Sequence, residues 1–323
     1  MKSFLFGILI ASSALAHGDL DWNSDYQAFL SFRFDSVIQT NKINDSRLGA
    51  SEVDMDFFKE KLLILTGETA FKGEFITERK SNQKLDLARS FLKEEYEKLG
   101  FTVSLHPFGS GTNIIAEKMG TLNPEKVLIL SSHIDSVGNK GANDDGSGTI
   151  GLLAVAKNLA KKNLPITIRI LGFDREEVGL KGSDAYVATI TDKKNIIGNI
   201  NFEMMGHNGR KDGAFHVIDC NSSIFGGNRP IENSLFLSEA MRASIAKKNL
   251  DLTITKACTD RSDHASFWRH KIPAIVISEN FFGGDGDPCY HARCDVVDER
   301  LDYEYMGKIL TALQASIIDI SAR

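Results

Sequence analysis

Apolar runs alternate with amphipathic stretches along the chain, and this alternation predicts the order of strands and helices. Residues 127–130 are apolar without a break and residues 166–173 nearly so, which is typical of strands buried on both faces of a sheet. Residues 85–98 and 303–322 instead repeat their apolar positions with a helical period. Because such strands and helices alternate throughout, the sequence predicts one α/β domain, a three-layer α/β/α sandwich around a mixed, mainly parallel central sheet.

The N-terminal part of the chain departs from this pattern. Lys2 precedes a short apolar run and an A-x-A site, which together predict a signal peptide over residues 1–16, cleaved after Ala16. We therefore expect a secreted or periplasmic protein. Residues 17–51 are polar without a clear period and form an N-terminal arm or a pro-segment, which leaves residues 52–323 as the functional domain. A core helix is the alternative for the first segment.

Charge and hydropathy exclude several classes of partner. The formal net charge of −5 provides no basic surface for nucleic acid. After the signal peptide, no apolar stretch reaches the length of a membrane span. We expect a monomer that meets neither nucleic acid nor a membrane.

The four cysteines predict disulfide bonds, because disulfides persist in exported proteins. Three pairings are possible for Cys220, Cys258, Cys289 and Cys294. A Cys289–Cys294 bond would be local and would brace the loop that carries His291. Zinc ligation by cysteine is disfavoured, since the chain has no CxxC pair.

Candidate metal ligands follow the predicted strands, at the point where each strand ends. His133 and Asp135 follow the apolar run at residue 127, and Asp144 comes next in a glycine-rich loop. Glu176 and Glu177 follow the run that ends at residue 173. Open α/β sheets bind ligands at the carboxyl ends of their strands. Carboxylate and imidazole donors gathered there suit a divalent ion such as zinc.

Two further residues extend this set. Glu203 closes another predicted strand, and His291 is a second imidazole late in the chain. His264 lies near a predicted helix start, where a histidine is better explained as structural. Neighbouring glutamates point in different directions, so one of Glu176 and Glu177 can bind a metal while the other acts as a general base. Each motif alone has a structural explanation, and only the combination indicates a catalytic site.

In this order the motifs resemble the co-catalytic zinc aminopeptidases of peptidase family M28, of the bacterial leucyl aminopeptidase type. The resemblance runs from about residue 80 to residue 323 and rests on H-x-D at His133, GANDDGSG around Asp144, EEVGLKGS from Glu176, NFEMMG around Glu203, SDHASFW around His264 and YHARCD around His291. It implies a phosphorylase/hydrolase-like zinc exopeptidase fold for residues 52–323, with two zinc ions per chain.

The resemblance also implies a role for each residue. Five side chains would bind the zinc ions: His133, Asp144, Glu177, Glu203 and His291. Asp144 would bridge the two ions. The family pattern pairs His133 with Glu203 and Glu177 with His291, although spacing along the chain does not by itself fix that pairing. Glu176 matches the general base, and Asp135 matches the partner of His133.

The chain departs from the family pattern at two points. Glu203 is Asp in many M28 aminopeptidases, and Glu at that point also occurs in related two-zinc carboxypeptidases. Near the SDH motif some relatives place a tyrosine that stabilises the oxyanion, where this chain has Thr259. The sequence therefore leaves the terminal preference and the oxyanion donor open.

We expect a secreted zinc metallo-exopeptidase that removes residues from peptides with a free N-terminus, using a water activated by two zinc ions. A carboxypeptidase of the same fold would keep every ligand and need a cationic anchor, for which Arg210, Arg261 and Arg293 are available. A glutaminyl cyclase of this fold uses one zinc ion, and a non-enzymatic binding domain would have lost ligands or the base. The complete set argues against both.

Overall fold

The computed structural model describes residues 52–222 and 229–322, so the predictions for residues 1–16 and 17–51 lie outside the described residues. Its strands are β1 (Thr102–Phe108), β2 (Gly111–Lys118), β3 (Asn123–His133), β4 (Ile166–Phe173), β5 (Ile196–Phe202), β6 (Ala214–Ile218), β7 (Cys220–Asn221), β8 (Arg229–Pro230), β9 (Thr253–Thr255) and β10 (Ala274–Glu279). Its α-helices are α1 (Met55–Leu65), α2 (Asn82–Lys98), α3 (Gly146–Leu159), α4 (Lys181–Ala188), α5 (Leu235–Lys248), α6 (His264–Arg269) and α7 (Tyr303–Ser321).

Within these residues, eight strands form one mixed sheet in the order β1-β2-β4-β3-β5-β10-β6-β9. The four central strands, β4, β3, β5 and β10, are parallel. Strands β2 and β6 flank them in antiparallel register, and β1 and β9 form the edges. From β3 the chain passes to β4 and then crosses back to β5 on the other side of β3. The order reverses between β3 and β5, and such a switch point opens a crevice at the carboxyl ends of the strands.

Apolar side chains on both faces of the sheet explain why helices cover both. Successive side chains of a strand point to opposite faces. In β3, Leu128 and Leu130 pack in the larger core beneath α1, α2, α3, α5 and α7. Val127 and Ile129 pack in a second core with α4 and α6. The predicted three-layer α/β/α sandwich with a mixed, mainly parallel sheet is confirmed.

Two disulfide bonds are present among the described residues. Cys220 of β7 is bonded to Cys258, and Cys289 is bonded to Cys294 across the loop that holds His291. The local pairing considered from the sequence is therefore the one in the structure. In the described part of the chain, no helix combines the length and apolar character needed to cross a membrane.

Candidate active site

The parallel strands deliver two of the predicted ligands side by side. His133 is the last residue of β3, and Glu203 directly follows β5. Ser131 pairs with Asn201 in the parallel register of these strands, so His133 and Glu203, two positions further on in each, are level with one another. They lie on either side of the switch point between β3 and β5, where ligands bind in sheets of this kind.

Five of the predicted residues form two donor sets that share Asp144. On one side, His133 Nε2 lies 3.1 Å from Asp144 Oδ1 and 3.5 Å from Glu203 Oε1. On the other, His291 Nε2 lies 3.2 Å from Asp144 Oδ2 and 3.0 Å from Glu177 Oε2. The two oxygens of one carboxylate therefore face two imidazoles, in the pairing that the family pattern implies.

The donor chemistry fits two divalent ions. Within each set the candidate donor atoms lie within 4.8 Å of one another. The Asp144 and Glu177 side chains are almost fully buried, at 5% and 6% exposed, and buried carboxylates need compensating charge. Glu177 Oε1 has no hydrogen-bond partner among the described residues. A nitrogen and oxygen donor set with one shared carboxylate suits a pair of zinc ions.

Burial and neighbouring charges shift the pKa values of groups in both sets when no metal is bound. Burial alone would lower the pKa of His133, but Glu203, Asp135 and Asp144 raise it well above its ordinary value. Burial raises the pKa of Glu177 to about 7, and the charge of Asp144 contributes to the rise. Metal binding at neutral pH must therefore displace protons.

Glu176 lines the cleft beside the donor sets without belonging to either. Burial raises its pKa well above that of an ordinary glutamate, His133 opposes this rise, and the carboxylates of Glu203 and Asp263 add to it. A carboxyl group with a raised pKa in a cleft is suited to accepting and returning a proton near neutral pH.

Asp135 fixes the strand-end turn that carries both glutamates. Its Oδ1 accepts a hydrogen bond from the Glu176 N–H at 3.1 Å, and its Oδ2 accepts one from the Glu177 N–H at 3.2 Å. His133 Nδ1 lies 3.2 Å from the Asp135 carbonyl oxygen and 3.5 Å from its carboxylate. One side chain thus orients both halves of the site, a wider contact than the expected pairing with His133 alone.

Asp145 caps helix α3. Its Oδ1 accepts hydrogen bonds from the N–H groups of Gly148 and Met204, each at 3.0 Å. Its Oδ2 accepts one from the His133 N–H at 3.3 Å. Through these hydrogen bonds, the Asp145 carboxylate links the end of β3, the residue after Glu203 and the start of α3.

Sequence reasoning missed the groups behind Asp144. The carboxylate of Asp295 accepts hydrogen bonds from the N–H groups of Asn143 and Asp144, at 2.7 and 3.1 Å. Asn143 Nδ2 in turn donates to buried Glu279 at 2.8 Å. The fully buried Arg79 donates to the carbonyl oxygens of Ile134, Lys140 and Gly141, which flank this loop. Asp295 is the last residue of the YHARCD motif, and its place in that motif is the one feature of the sequence that could have marked it as a site residue.

The backbone at three site positions adopts the left-handed region, which is uncommon for residues other than glycine. The residues are Arg175 (φ 64°), Met204 (φ 44°) and His291 (φ 56°). Each is a candidate ligand or base, or directly adjoins one. Such conformations cost free energy and cluster at functional sites.

The donor sets open into a cleft of about 510 Å³, including its mouth. Its polar lining includes Glu176, Thr259, Ser262 and Tyr290, and its apolar lining consists of Met204, Ile218, Val276, Phe281 and Phe282. Ser262 Oγ donates to Glu203 Oε2 at 2.6 Å. The Tyr290 ring stacks on the His291 ring with centroids 3.8 Å apart. A ligand in the cleft would meet carboxylates, one phenol and an apolar wall.

The other candidates have structural or peripheral positions. His264 is buried, with Nε2 3.1 Å from the Thr259 carbonyl oxygen, which supports a structural role. Of the three arginines considered as a carboxypeptidase anchor, Arg261 lines the cleft. Arg210 instead donates to the carbonyl oxygens of Gly283 and Gly284.

Comparison with known proteins shows the family of this chain. A model of peptidase family M28 matches residues 113–316. Leupeptin-inactivating enzyme 1 of Streptomyces exfoliatus is 29% identical over 229 residues, or 64% of this chain and 48% of that enzyme. Leucine aminopeptidase 2 of Arthroderma otae is 31% identical over 204 residues, or 58% of this chain and 40% of that protein. The chain thus spans about half or less of the length of these relatives.

Solved structures show the same fold. A zinc aminopeptidase of Bacillus subtilis, BSAP, superposes with a TM-score of 0.56 at 26% identity, over 65% of this chain and 50% of that one. The LapA aminopeptidase of Legionella pneumophila superposes with a TM-score of 0.68 at 17% identity, over 91% and 80%. The family match covers most of the described domain, and the resemblance noted from the motifs is confirmed: the chain belongs to peptidase family M28.

Proposed function

We propose that this protein is a zinc-dependent aminopeptidase that holds two zinc ions and removes residues from the free N-terminus of peptides. The observation that carries the proposal is the carboxylate of Asp144, whose two oxygens face His133 and His291. His133, Asp144 and Glu203 would hold one ion, and Asp144, Glu177 and His291 the other. When bound, zinc supplies Lewis acidity and lowers the pKa of a water molecule to near neutrality.

Glu176 is the proposed general base. It lies in the cleft next to ligand Glu177, and its backbone is held by Asp135. Its carboxylate takes a proton from the attacking water and returns that proton to the leaving amine. Positioned proton transfer of this kind contributes roughly 10²–10⁴-fold to a rate.

Tyr290 is the proposed hydrogen-bond donor to the developing oxyanion. Its ring is held against His291, and burial together with the charge of Asp144 raises its pKa to about 12. The hydroxyl therefore stays protonated at neutral pH and can donate from the cleft wall. A fixed donor of this type stabilises the transition state more than the ground state.

Several observations favour an aminopeptidase. The A. otae relative is a leucine aminopeptidase by name, and the B. subtilis enzyme is a zinc aminopeptidase. The apolar lining around Ile218 and Phe281 suits an apolar first residue. Glutamate at position 203 still matches carboxypeptidases, so end preference is the point that most requires measurement.

Replacing the proposed base separates catalysis from metal binding. The Glu176→Gln variant should keep two zinc ions by elemental analysis and lose at least about 10²-fold in kcat on a leucine anilide. The exposed Glu125→Gln variant, which removes one carboxylate elsewhere, is the matched control and should keep full activity. Near-normal turnover by Glu176→Gln with zinc bound would refute the role of Glu176.

Export to the periplasm or medium is part of the proposal. Two disulfide bonds within the described residues support an oxidising compartment. N-terminal sequencing of the protein recovered from its native host should begin at His17, or further along if residues 17–51 are a pro-segment. A mature chain that retains Met1 would contradict export through this signal.

A further inference from the structure

We infer that the Arg261 guanidinium binds a carboxylate of the substrate at the mouth of the cleft, so that the enzyme favours anionic substrates over neutral ones of the same shape. The inference rests on the proposed aminopeptidase function and adds a substrate class to it. It is carried by the position of Arg261 and by the hydrogen bonds and the disulfide bond that hold its loop. It also rests on the lack of an ion-pair partner for Arg261 in the part of the chain that the structure describes.

Arg261 spans the two halves of the site. The next residue, Ser262, donates to Glu203 in one donor set. The guanidinium of Arg261 reaches the other half, where its Nη2 lies 3.4 Å from the hydroxyl of Tyr290, whose ring stacks on His291. A group bound by this guanidinium would therefore lie in the cleft, on the side of the donor set that contains His291.

The loop that presents Arg261 is anchored at several points. Cys258 is bonded to Cys220 of β7. The Thr259 N–H donates to the Cys220 carbonyl oxygen at 3.1 Å, and the Arg261 N–H donates to Thr259 Oγ1 at 3.2 Å. The backbone is thus fixed while the side chain stays exposed. Such a guanidinium is placed in advance for a bidentate carboxylate.

No carboxylate of residues 52–222 or 229–322 forms an ion pair with Arg261; the Tyr290 hydroxyl is its hydrogen-bond partner there. The three carboxylates of the donor sets, Asp144, Glu177 and Glu203, would be committed to zinc. Their three negative charges are fewer than the four positive charges of two zinc ions. With metal bound, the charge of Arg261 is left for a ligand.

A substrate can supply this carboxylate from two places. In a dipeptide, the C-terminal carboxylate is three bonds from the scissile carbonyl carbon. In a substrate that begins with glutamate, the side-chain carboxylate is four bonds from that carbon. Both are short enough to reach a guanidinium next to the donor sets, and the chemistry that Arg261 recognises is the same.

The test compares matched substrate pairs with the zinc-loaded enzyme. One pair is Leu-Gly and its C-terminal amide; the other is the p-nitroanilide of glutamate and that of glutamine. Each is assayed with the wild type, with Arg261→Met, which keeps an unbranched side chain but removes the guanidinium and its charge, and with Arg293→Met. Arg293 is an exposed arginine that is not part of the cleft lining.

We expect the wild type to prefer the anionic member of at least one pair, and the responding pair identifies which carboxylate is bound. Arg261→Met should lower kcat/KM for that member roughly tenfold, mainly through KM, as expected for loss of a charge-assisted hydrogen bond. It should change the neutral member by less than about twofold, and Arg293→Met should change neither. Raising the ionic strength should reduce the preference of the wild type for the anionic substrate and should have no such effect on Arg261→Met.

The inference is overturned if the wild type shows no anionic preference in either pair, or if Arg261→Met affects both members of each pair equally. These outcomes differ from a failure of the proposed function. If zinc-loaded wild type cleaves none of the substrates, the aminopeptidase proposal fails. If N-acetyl-Leu-Gly is cleaved, the enzyme is a carboxypeptidase and Arg261 is its candidate anchor.

Discussion

At the scale of single residues, the site depends on carboxylates that each contact two partners. Asp144 faces two imidazoles, Asp135 accepts two backbone N–H groups, and Asp295 accepts two more behind Asp144. Removing one such side chain alters two contacts at once. Mutations here should therefore act on metal affinity as well as on rate.

Replacing the shared carboxylate should empty both zinc sites. Asp144→Asn removes the charge that both donor sets use, so we expect less than one zinc ion per chain after dialysis and loss of activity. The His291→Ala variant removes a ligand from one set and should keep close to one ion. Elemental analysis of the dialysed proteins checks both. If Asp144→Asn retained two ions, the bridging role would be wrong.

Asp135 should contribute to zinc affinity without binding the ion itself. In Asp135→Asn, an NH₂ group replaces one of the two carboxylate oxygens. The backbone N–H of either Glu176 or Glu177 therefore loses its hydrogen-bond acceptor. Partners of metal ligands typically contribute 10–100-fold to affinity, and we expect a loss of zinc affinity in that range. Competition with a zinc-binding dye measures it. Wild-type affinity in this variant would show that the turn keeps its shape without the carboxylate.

The candidate ligands could be picked out from the sequence because each lies at a strand end or in a recognisable motif. The groups behind them could not. Nothing near Arg79 indicates that its guanidinium is buried against three carbonyl groups. Tyr290 precedes His291 directly, yet its place in the cleft depends on how two distant loops meet. Such contacts arise from tertiary packing, which local sequence does not report.

At the scale of elements, parallel strands and capped helices fix the positions of the ligands. The apolar pattern predicted the strands that end at His133, Phe173 and Phe202 because fully buried strands have an unmistakable composition. The sheet order and the antiparallel direction of β2 and β6 depend on long-range pairing and could not be predicted from the pattern. The helix cap at Asp145 can be predicted from the sequence, since an aspartate just before a helical run is a strong local signal for an N-cap.

The cap of the last helix gives a stability prediction. Asp302 accepts a hydrogen bond from the Tyr305 N–H at the start of α7. Burial alone would raise its pKa, but Lys211, the Tyr305 N–H and Asn208 lower it. Because folding lowers the pKa of Asp302, its carboxylate stabilises the fold at pH values above the ordinary pKa of 3.8. This stabilisation is lost as the pH falls through the pKa that Asp302 has in the folded state.

We therefore expect Asp302→Ala to lower the free energy of unfolding by about 1 kcal/mol at pH 7. The difference should shrink at pH 3, because protonated Asp302 contributes less in the parent protein. Asp302→Asn keeps an acceptor and should lose less than Ala. Urea unfolding of the metal-free proteins at both pH values measures this. An equal loss at both pH values would contradict the charge-dependent part.

At the scale of the whole molecule, zinc binding is linked to stability and to protons. The two donor sets bring three carboxylates into a small buried volume. Their repulsion opposes folding when metal is absent, so removing zinc should lower the midpoint of thermal unfolding. The sheet, the α7 cap and the disulfide bonds lie outside the donor sets, and the metal-free chain should still fold.

Zinc binding at pH 7 should release protons. His133 has a pKa well above its ordinary value without metal, and the pKa of Glu177 is about 7. The metal-free site therefore favours the protonated forms of both groups, whereas both must lose their protons to bind zinc. Calorimetric titration in two buffers of different ionisation enthalpy should show a net release of protons on zinc binding. Zero release, or proton uptake, would contradict this description of the metal-free site.

The most direct test of the central claim is a zinc titration of the metal-free mature protein, followed by mass spectrometry of a peptide offered in free and N-acetylated forms. We predict that activity rises until two zinc ions are bound per chain, that single residues leave the free N-terminus, and that the acetylated peptide stays intact. A plateau at one zinc ion, or shortening of the acetylated peptide from its C-terminus, would contradict the account of a two-zinc aminopeptidase.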